Sequence, residues 1–139
     1  MLRFLFDTDH LTLFDTGHPL VSQRHASQPA GEVGISAVTV QEALRGRLAA
    51  LARHRSGPMQ VQGYANLVGT IRLFFRFPIA AFDSACEGHY QRLRRLRLRI
   101  GSQDLRIAAV ALINNLVLLT RNRRDFGQIP GLSLDDWSR

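Results

Sequence analysis

Short apolar runs alternate along the chain with longer stretches of helical spacing. Leu2-Arg3-Phe4-Leu5-Phe6 reads as a buried strand that ends at Asp7. Residues 8–16 are predicted to form a short helix, stopped by Gly17-His18-Pro19, and residues 20–28 a second, closed before Pro29-Ala30-Gly31. Val33-Gly34-Ile35-Ser36 is a second strand. Thr39 then opens a helix with Val40, Ala43, Leu44 and Leu48 at helical spacing, fading near Arg55-Ser56-Gly57-Pro58. From Met59 to Phe75 the spacing is helical again, carried by Val61, Tyr64, Leu67, Val68, Ile71 and Phe75. Residues 77–82 form a weak strand whose Pro78 argues for an edge or early position. Asp83 begins a long helix to about Ile100. Leu93, Leu96 and Ile100 share one of its faces, and Arg92, Arg95 and Arg99 the face beside it. Asp104 starts a helix over residues 105–114 that is apolar nearly all round and so expected at the centre. Leu116-Val117-Leu118-Leu119 is the clearest strand. The chain turns away over residues 120–126, and the tail from Pro130 to Arg139 is irregular or a last short strand.

Strands alternating with helices indicate an α/β fold with a central, mostly parallel sheet flanked by helices. The 139 residues suit a single domain spanning 1–139. Hydrophobic residues make up 45% of the chain and charged residues 21%, as in a water-soluble protein with its own core. Cys86 is the only cysteine, which rules out an internal disulfide, and it reads as a small packing residue. The longest apolar run, residues 107–119, is broken by Asn114-Asn115 and is too short for a membrane span. The opening residues lack the pattern of a secretion signal, so the expected location is the cytoplasm.

Charge changes the picture. The formal net charge is +7, and every basic residue apart from histidine is arginine. A positive surface attracts polyanions, and arginine offers phosphate a two-pronged contact that lysine cannot. Nucleic acid is therefore a candidate partner.

Four acids interrupt this basic background at element boundaries. Taken singly, each has an ordinary explanation. Asp7 could cap the helix after the first strand. Glu42 could close a capping box with Thr39. Asp104 could favour the dipole of its helix, and Asp125 could cap a short one. Jointly they say more. Asp7, Glu42 and Asp125 each follow a strand, and Asp104 opens a helix. In a parallel sheet, strand carboxyl ends and the following helix N-termini share one edge, where ligands bind. Two unit charges about 4 Å apart repel by roughly 4 kcal/mol at an effective dielectric of 20. A hard divalent cation relieves such a cluster, and oxygen ligands suit Mg²⁺ or Mn²⁺. Ions of this kind activate water for phosphodiester hydrolysis.

The same residues resemble the motifs of PIN-domain nucleases, specifically the VapC type of toxin found in bacterial toxin–antitoxin pairs. Phe6-Asp7-Thr8-Asp9-His10-Leu11 resembles the opening motif, and Ile35-Ser36-Ala37-Val38-Thr39-Val40-Gln41-Glu42 the second. Asp104-Leu105-Arg106-Ile107-Ala108-Ala109 resembles the third, and Thr120-Arg121-Asn122-Arg123-Arg124-Asp125-Phe126 the fourth. The resemblance implies a Mg²⁺- or Mn²⁺-dependent endoribonuclease with Asp7, Glu42, Asp104 and Asp125 as metal-site acids. Thr8, Thr120 and Asn122 match polar positions that orient carboxylates or touch substrate. Asp9 stands where many members carry Asn and adds a fifth acid. Homodimerisation and a cognate antitoxin protein are implied by the same resemblance.

Other residues carry simpler expectations. His10, His18, His25, His54 and His89 share no metal-binding spacing and are expected in surface or partly buried structural roles. Arg121, Arg123 and Arg124 flank a metal-site acid and are expected to contact phosphate. Residues 92–99 are either a solvated face or an RNA-contacting one, and Trp137 is expected to pack. Two rival functions have distinct signatures. A haloacid-dehalogenase-like phosphatase would use Asp7-Thr8-Asp9 as a two-aspartate motif, yet Leu11 is out of pattern, lysine is absent and the later paired aspartates are missing. A non-catalytic RNA-binding module of the same fold would bind RNA without metal-dependent cleavage.

Overall fold

A computed structural model describes residues Met1–Arg139. In chain order the elements are β1 (Phe4–Phe6), α1 (Thr8–Asp15), α2 (Pro19–Ala26), β2 (Val33–Ser36), α3 (Ala37–Arg53) and α4 (Gly57–Phe74). Then follow β3 (Ile79–Ala80), α5 (Ser84–Arg95), α6 (Ser102–Ile113), β4 (Val117–Leu119), α7 (Arg123–Phe126) and β5 (Leu134–Asp135). All five strands lie in one parallel sheet of order β3-β2-β1-β4-β5. The α/β expectation is met, and β3 stands at the edge where Pro78 placed it.

Successive strand residues face opposite sides of a sheet, and the core divides accordingly. Leu5 and Leu118 pack with Ile107, Val110 and Phe126 on one face. Phe6, Ile35 and Leu119 pack with Phe14, Val21, Phe77 and Trp137 on the other. Helix α6 supplies five consecutive buried residues, Ile107 to Ala111, as its all-round apolar pattern required. Trp137 packs as expected, its ring 5.0 Å from that of Phe4. Cys86 is fully buried.

Several boundaries move for identifiable reasons. Helix α3 begins at Ala37 rather than Thr39, because the Ser36 hydroxyl accepts the Thr39 N–H at 3.1 Å and caps the helix two residues earlier. Helix α4 starts at Gly57 with Pro58 in its first turn, where the missing N–H has no partner to lose. Helix α5 stops at Arg95, not near Ile100. Leu96 is half-exposed with no core to enter, and Arg97 turns into the left-handed region at φ 52°. Helix α1 ends at Gly17, whose φ of 81° favours glycine and lets His18 N–H reach back to Leu13 O at 2.9 Å.

Gly34 sits where two strands approach closely. A Cβ added there would lie 2.8 Å from the Pro78 carbonyl oxygen and 2.7 Å from Leu2. That same carbonyl accepts the Ile35 N–H at 3.0 Å and holds the edge strand in place. Gly34→Ala is therefore expected to destabilise the fold by about 2 kcal/mol, the usual cost of overpacking. Urea unfolding checks this, and an unchanged midpoint would mean that the edge strand yields freely.

The sheet order has a consequence for function. From β1 the chain fills β2 and β3 on one side, then returns to build β4 and β5 on the other. The reversal opens a crevice at the carboxyl ends of β1 and β4, where open α/β sheets bind their ligands.

Candidate metal centre

Strand β1 delivers Asp7 into this crevice. Its backbone N–H donates to Leu119 O at 3.1 Å, tying it to the end of β4. Its side chain is buried and caps α1, with Oδ1 accepting the His10 N–H at 2.7 Å. The capping explanation is thus correct, and incomplete. Oδ1 makes that bond while Oδ2 takes no hydrogen bond from the protein, and Asp7 lines a pocket of about 480 Å³.

Glu42 comes from α3 and does not close a capping box. With Ser36 as the cap, Glu42 lies beyond the first turn. It instead accepts a hydrogen bond from Thr8 Oγ1 at 2.7 Å. Thr8 has one hydroxyl proton and gives it to Glu42, so it accepts from Thr39 Oγ1 at 3.2 Å. Thr39 in turn accepts from Ser36 Oγ at 3.3 Å. The buried hydroxyls of Ser36 and Thr39 thereby fix the direction of a chain that ends on the carboxylate. In the sequence Ser36 reads as the end of a strand and Thr39 as the start of a helix.

Asp104 enters from the first turn of α6 and completes the convergence. Burial pushes its pKa up to about 6, assisted by the negative charges of Glu42, Asp7 and Asp125. Three acids distant in sequence from it therefore act on one carboxyl group. Asp125 stands further back, outside the residues that line the pocket. It lies within α7 rather than capping it. Asn122 is the cap, accepting the Asp125 N–H at 3.2 Å and donating its amide to Asp125 Oδ2 at 3.0 Å. Buried Thr120 accepts the Asn122 N–H at 2.9 Å and shapes the turn between β4 and α7.

Asp9 adds little charge to the pocket, because Arg121 grips it with two bonds of 2.7 and 2.8 Å. Both side chains are about half exposed, at 43% and 51%. Of the three expected arginines, Arg121 lines the pocket, whereas Arg123 and Arg124 are exposed on α7 outside its lining. His10 departs from the expected surface or partly buried role. It is fully buried beneath Asp7, with Nδ1 3.6 Å from Asp7 Oδ1. Its place in the third position of a helix capped by Asp7 was the available clue, since that position faces the cap.

The donor set fits a hard divalent cation. Carboxylate oxygens of Asp7, Glu42 and Asp104 face one pocket with no thiolate among its lining residues. The ligand atoms that lie within 4.8 Å of one another are those of Asp7, Asp9 and His10, of which Asp9 is engaged by Arg121 and His10 lies below the pocket floor. No helix is long and apolar enough to cross a membrane.

Comparison with known proteins extends along nearly the whole chain. The family described as PIN domain matches residues 6–132. The tRNA(fMet)-specific endonuclease VapC of Shigella flexneri is 26% identical over 142 residues, covering 99% of this chain and 100% of that protein. The crystal structure of VapBC2 from Rickettsia felis bound to a DNA fragment from their promoter is similar with a TM-score of 0.76 at 25% identity, covering 98% of this chain and 99% of that one. The fold is shared as well with VapBC-1 from nontypeable Haemophilus influenzae, with a TM-score of 0.78 at 23% identity over 100% of both chains.

Proposed function

The chain belongs to the PIN domain family, and on that premise we propose that it is a metal-dependent endoribonuclease, the toxin of a toxin–antitoxin pair. The observation that carries this reading is the meeting of Asp7, Glu42 and Asp104 in one pocket, in a chain of net charge +7. Asp7, Glu42 and Asp104 would hold Mg²⁺ or Mn²⁺, with Asp125 adding negative charge from behind the pocket lining. When bound, such an ion would activate water and stabilise the leaving oxygen of an RNA phosphodiester.

The remaining residues have roles in keeping with their contacts. Thr8 aims the Glu42 carboxylate, and Asn122 aims that of Asp125. Arg121 stands at the pocket with a planar fork suited to phosphate, and exchanges Asp9 for the RNA backbone as substrate arrives. Arg123 and Arg124 extend the positive surface beside it.

The partner part of this reading is a cognate antitoxin and a second copy of the chain, acting in the cytoplasm. Support comes from apolar residues that the helical spacing of α4 leaves on the outside. Val61, Tyr64 and Phe75 are all exposed, Phe75 by 83%. An exposed apolar surface of this kind commonly marks a protein interface.

The test is cleavage of RNA by the purified chain in Mg²⁺ and in EDTA. Initiator tRNA is the first substrate to try, because the Shigella relative's name specifies it. Cleavage in Mg²⁺ and none in EDTA is expected. Binding of RNA with no cleavage under either condition would favour the non-catalytic module.

A further inference from the structure

We propose that His10 is a positioning residue for Asp7, through which the C-terminal segment sets the affinity of the metal site. This rests on the reading of Asp7 as a metal ligand. The imidazole is completely buried, and its Nδ1 is the one buried side-chain nitrogen or oxygen in the molecule without a hydrogen-bond partner. A buried donor left unmade is destabilising, so its placement calls for a reason.

The other ring nitrogen decides which tautomer is present. Nε2 accepts the backbone N–H of Trp137 at 3.2 Å. A nitrogen that accepts carries no proton, so the proton of the neutral ring is on Nδ1. Asp136 Oδ1 lies 3.6 Å from Nε2 and could in principle compete for a proton there. That oxygen is already supplied by the Ser138 N–H at 2.9 Å and hydroxyl at 2.6 Å. Asp136 Oδ2 is held by Arg139 at 3.0 Å. The tail is anchored in turn by Arg24, which donates to Asp136 O at 3.0 Å, and by the buried Trp137 ring.

The Nδ1–H therefore faces Asp7 Oδ1 across 3.6 Å. Hydrogen bonds in active sites are often long before the complete complex forms, and tighten in it. Once closed, this contact gives Oδ1 two donors from one residue, the His10 backbone N–H and its ring. The carboxylate is then fixed in rotation with Oδ2 presented to the pocket. Outer partners of metal-ligating carboxylates act in this way, and losing one commonly weakens metal affinity about 10- to 100-fold.

The test uses the full chain and Mn²⁺ alone, titrated calorimetrically, so RNA cleavage is not the readout. His10→Leu is expected to bind Mn²⁺ about 10- to 100-fold more weakly than the parent. His10→Asn, whose amide N–H can stand where Nδ1–H stood, is expected to recover most of that loss. His10→Gln offers Trp137 an acceptor at the Nε2 position, so it should recover melting temperature but not Mn²⁺ affinity. In the unmutated chain, ¹⁵N spectra should report Nδ1 protonated and Nε2 bare, a readout immune to any misfolding of variants. An Nε2–H tautomer or a doubly protonated ring overturns the proposal. So does equal Mn²⁺ affinity across the parent and all folded variants, which would leave Asp7 as a ligand and His10 as packing. A parent chain that binds no Mn²⁺ instead overturns the metal-site reading and this proposal with it.

Discussion

Asp7→Asn is expected to lower RNA cleavage about a thousandfold while leaving the fold intact. Asparagine is as good a helix cap as aspartate, so α1 keeps its start and the His10 N–H keeps an acceptor. The two side chains have nearly the same volume, so the crevice between β1 and β4 is not repacked. What is lost is one negative charge at a site where charge is the function. A unit charge about 4 Å from another is worth roughly 4 kcal/mol at an effective dielectric of 20. A barrier raised by that amount corresponds to about a thousandfold in rate. Initial cleavage rates at saturating Mg²⁺, beside far-UV spectra and melts, separate loss of chemistry from loss of structure. Asp15→Asn, at an exposed position on the same helix, is the control expected to retain full rate. A cleavage rate for Asp7→Asn close to that of the parent would remove Asp7 from the catalytic centre.

That substitution works as a probe because Asp7 caps α1 and also lines the pocket, so the proposed role can be removed while the cap is kept. Much of the site was legible in the sequence for this reason. Residues at strand ends and helix starts must satisfy backbone groups, and the same positions project into the crevice of an α/β sheet. Asp104 was legible in this way, whereas Asn122 was indicated only by the resemblance to the family's motifs. Glu42 was legible as an acid but not in its surroundings. Its hydrogen bond comes from Thr8, distant in the chain, and no local spacing encodes it. His10 was the real omission. A helix pattern places it on the inner side of α1, yet its value depends on Trp137, brought up from the opposite end of the chain by the β4–β5 pairing. The apolar spacing of α4 identified a helix but not what its apolar residues cover, since periodicity carries no information about which surfaces meet. The early stop of α5 is not legible in the sequence, because Leu96 has the right spacing to continue the helix and nothing to pack on beyond it.

Adding Mg²⁺ at a hundredfold its Kd is expected to raise the melting temperature by roughly 10 °C. The underlying linkage is about 2.7 kcal/mol at that concentration, and a domain of this size gains roughly 4 °C per kcal/mol. Asp104→Asn should reverse the order of the curves. In the metal-free parent, the folded-state pKa of Asp104 is about 6, against an ordinary value of 3.8. The folded chain thus holds this proton more tightly than the unfolded chain does. Below about pH 4 both states are protonated and the fold carries no penalty from Asp104. As pH rises through 6 the folded chain must ionise a half-buried carboxyl beside Glu42, Asp7 and Asp125, and stability falls. Asparagine has no charge to place there. In EDTA at pH 7, Asp104→Asn should therefore melt above the parent, with the gap closing as pH falls towards 4. In Mg²⁺ the parent should melt above the variant, because the charge that burdens the empty cluster is what draws the ion in. A variant that melts below the parent in EDTA at pH 7 would mean that Asp104 carries no electrostatic penalty. The charges of Glu42, Asp7 and Asp125 would then not bear on it as their convergence requires.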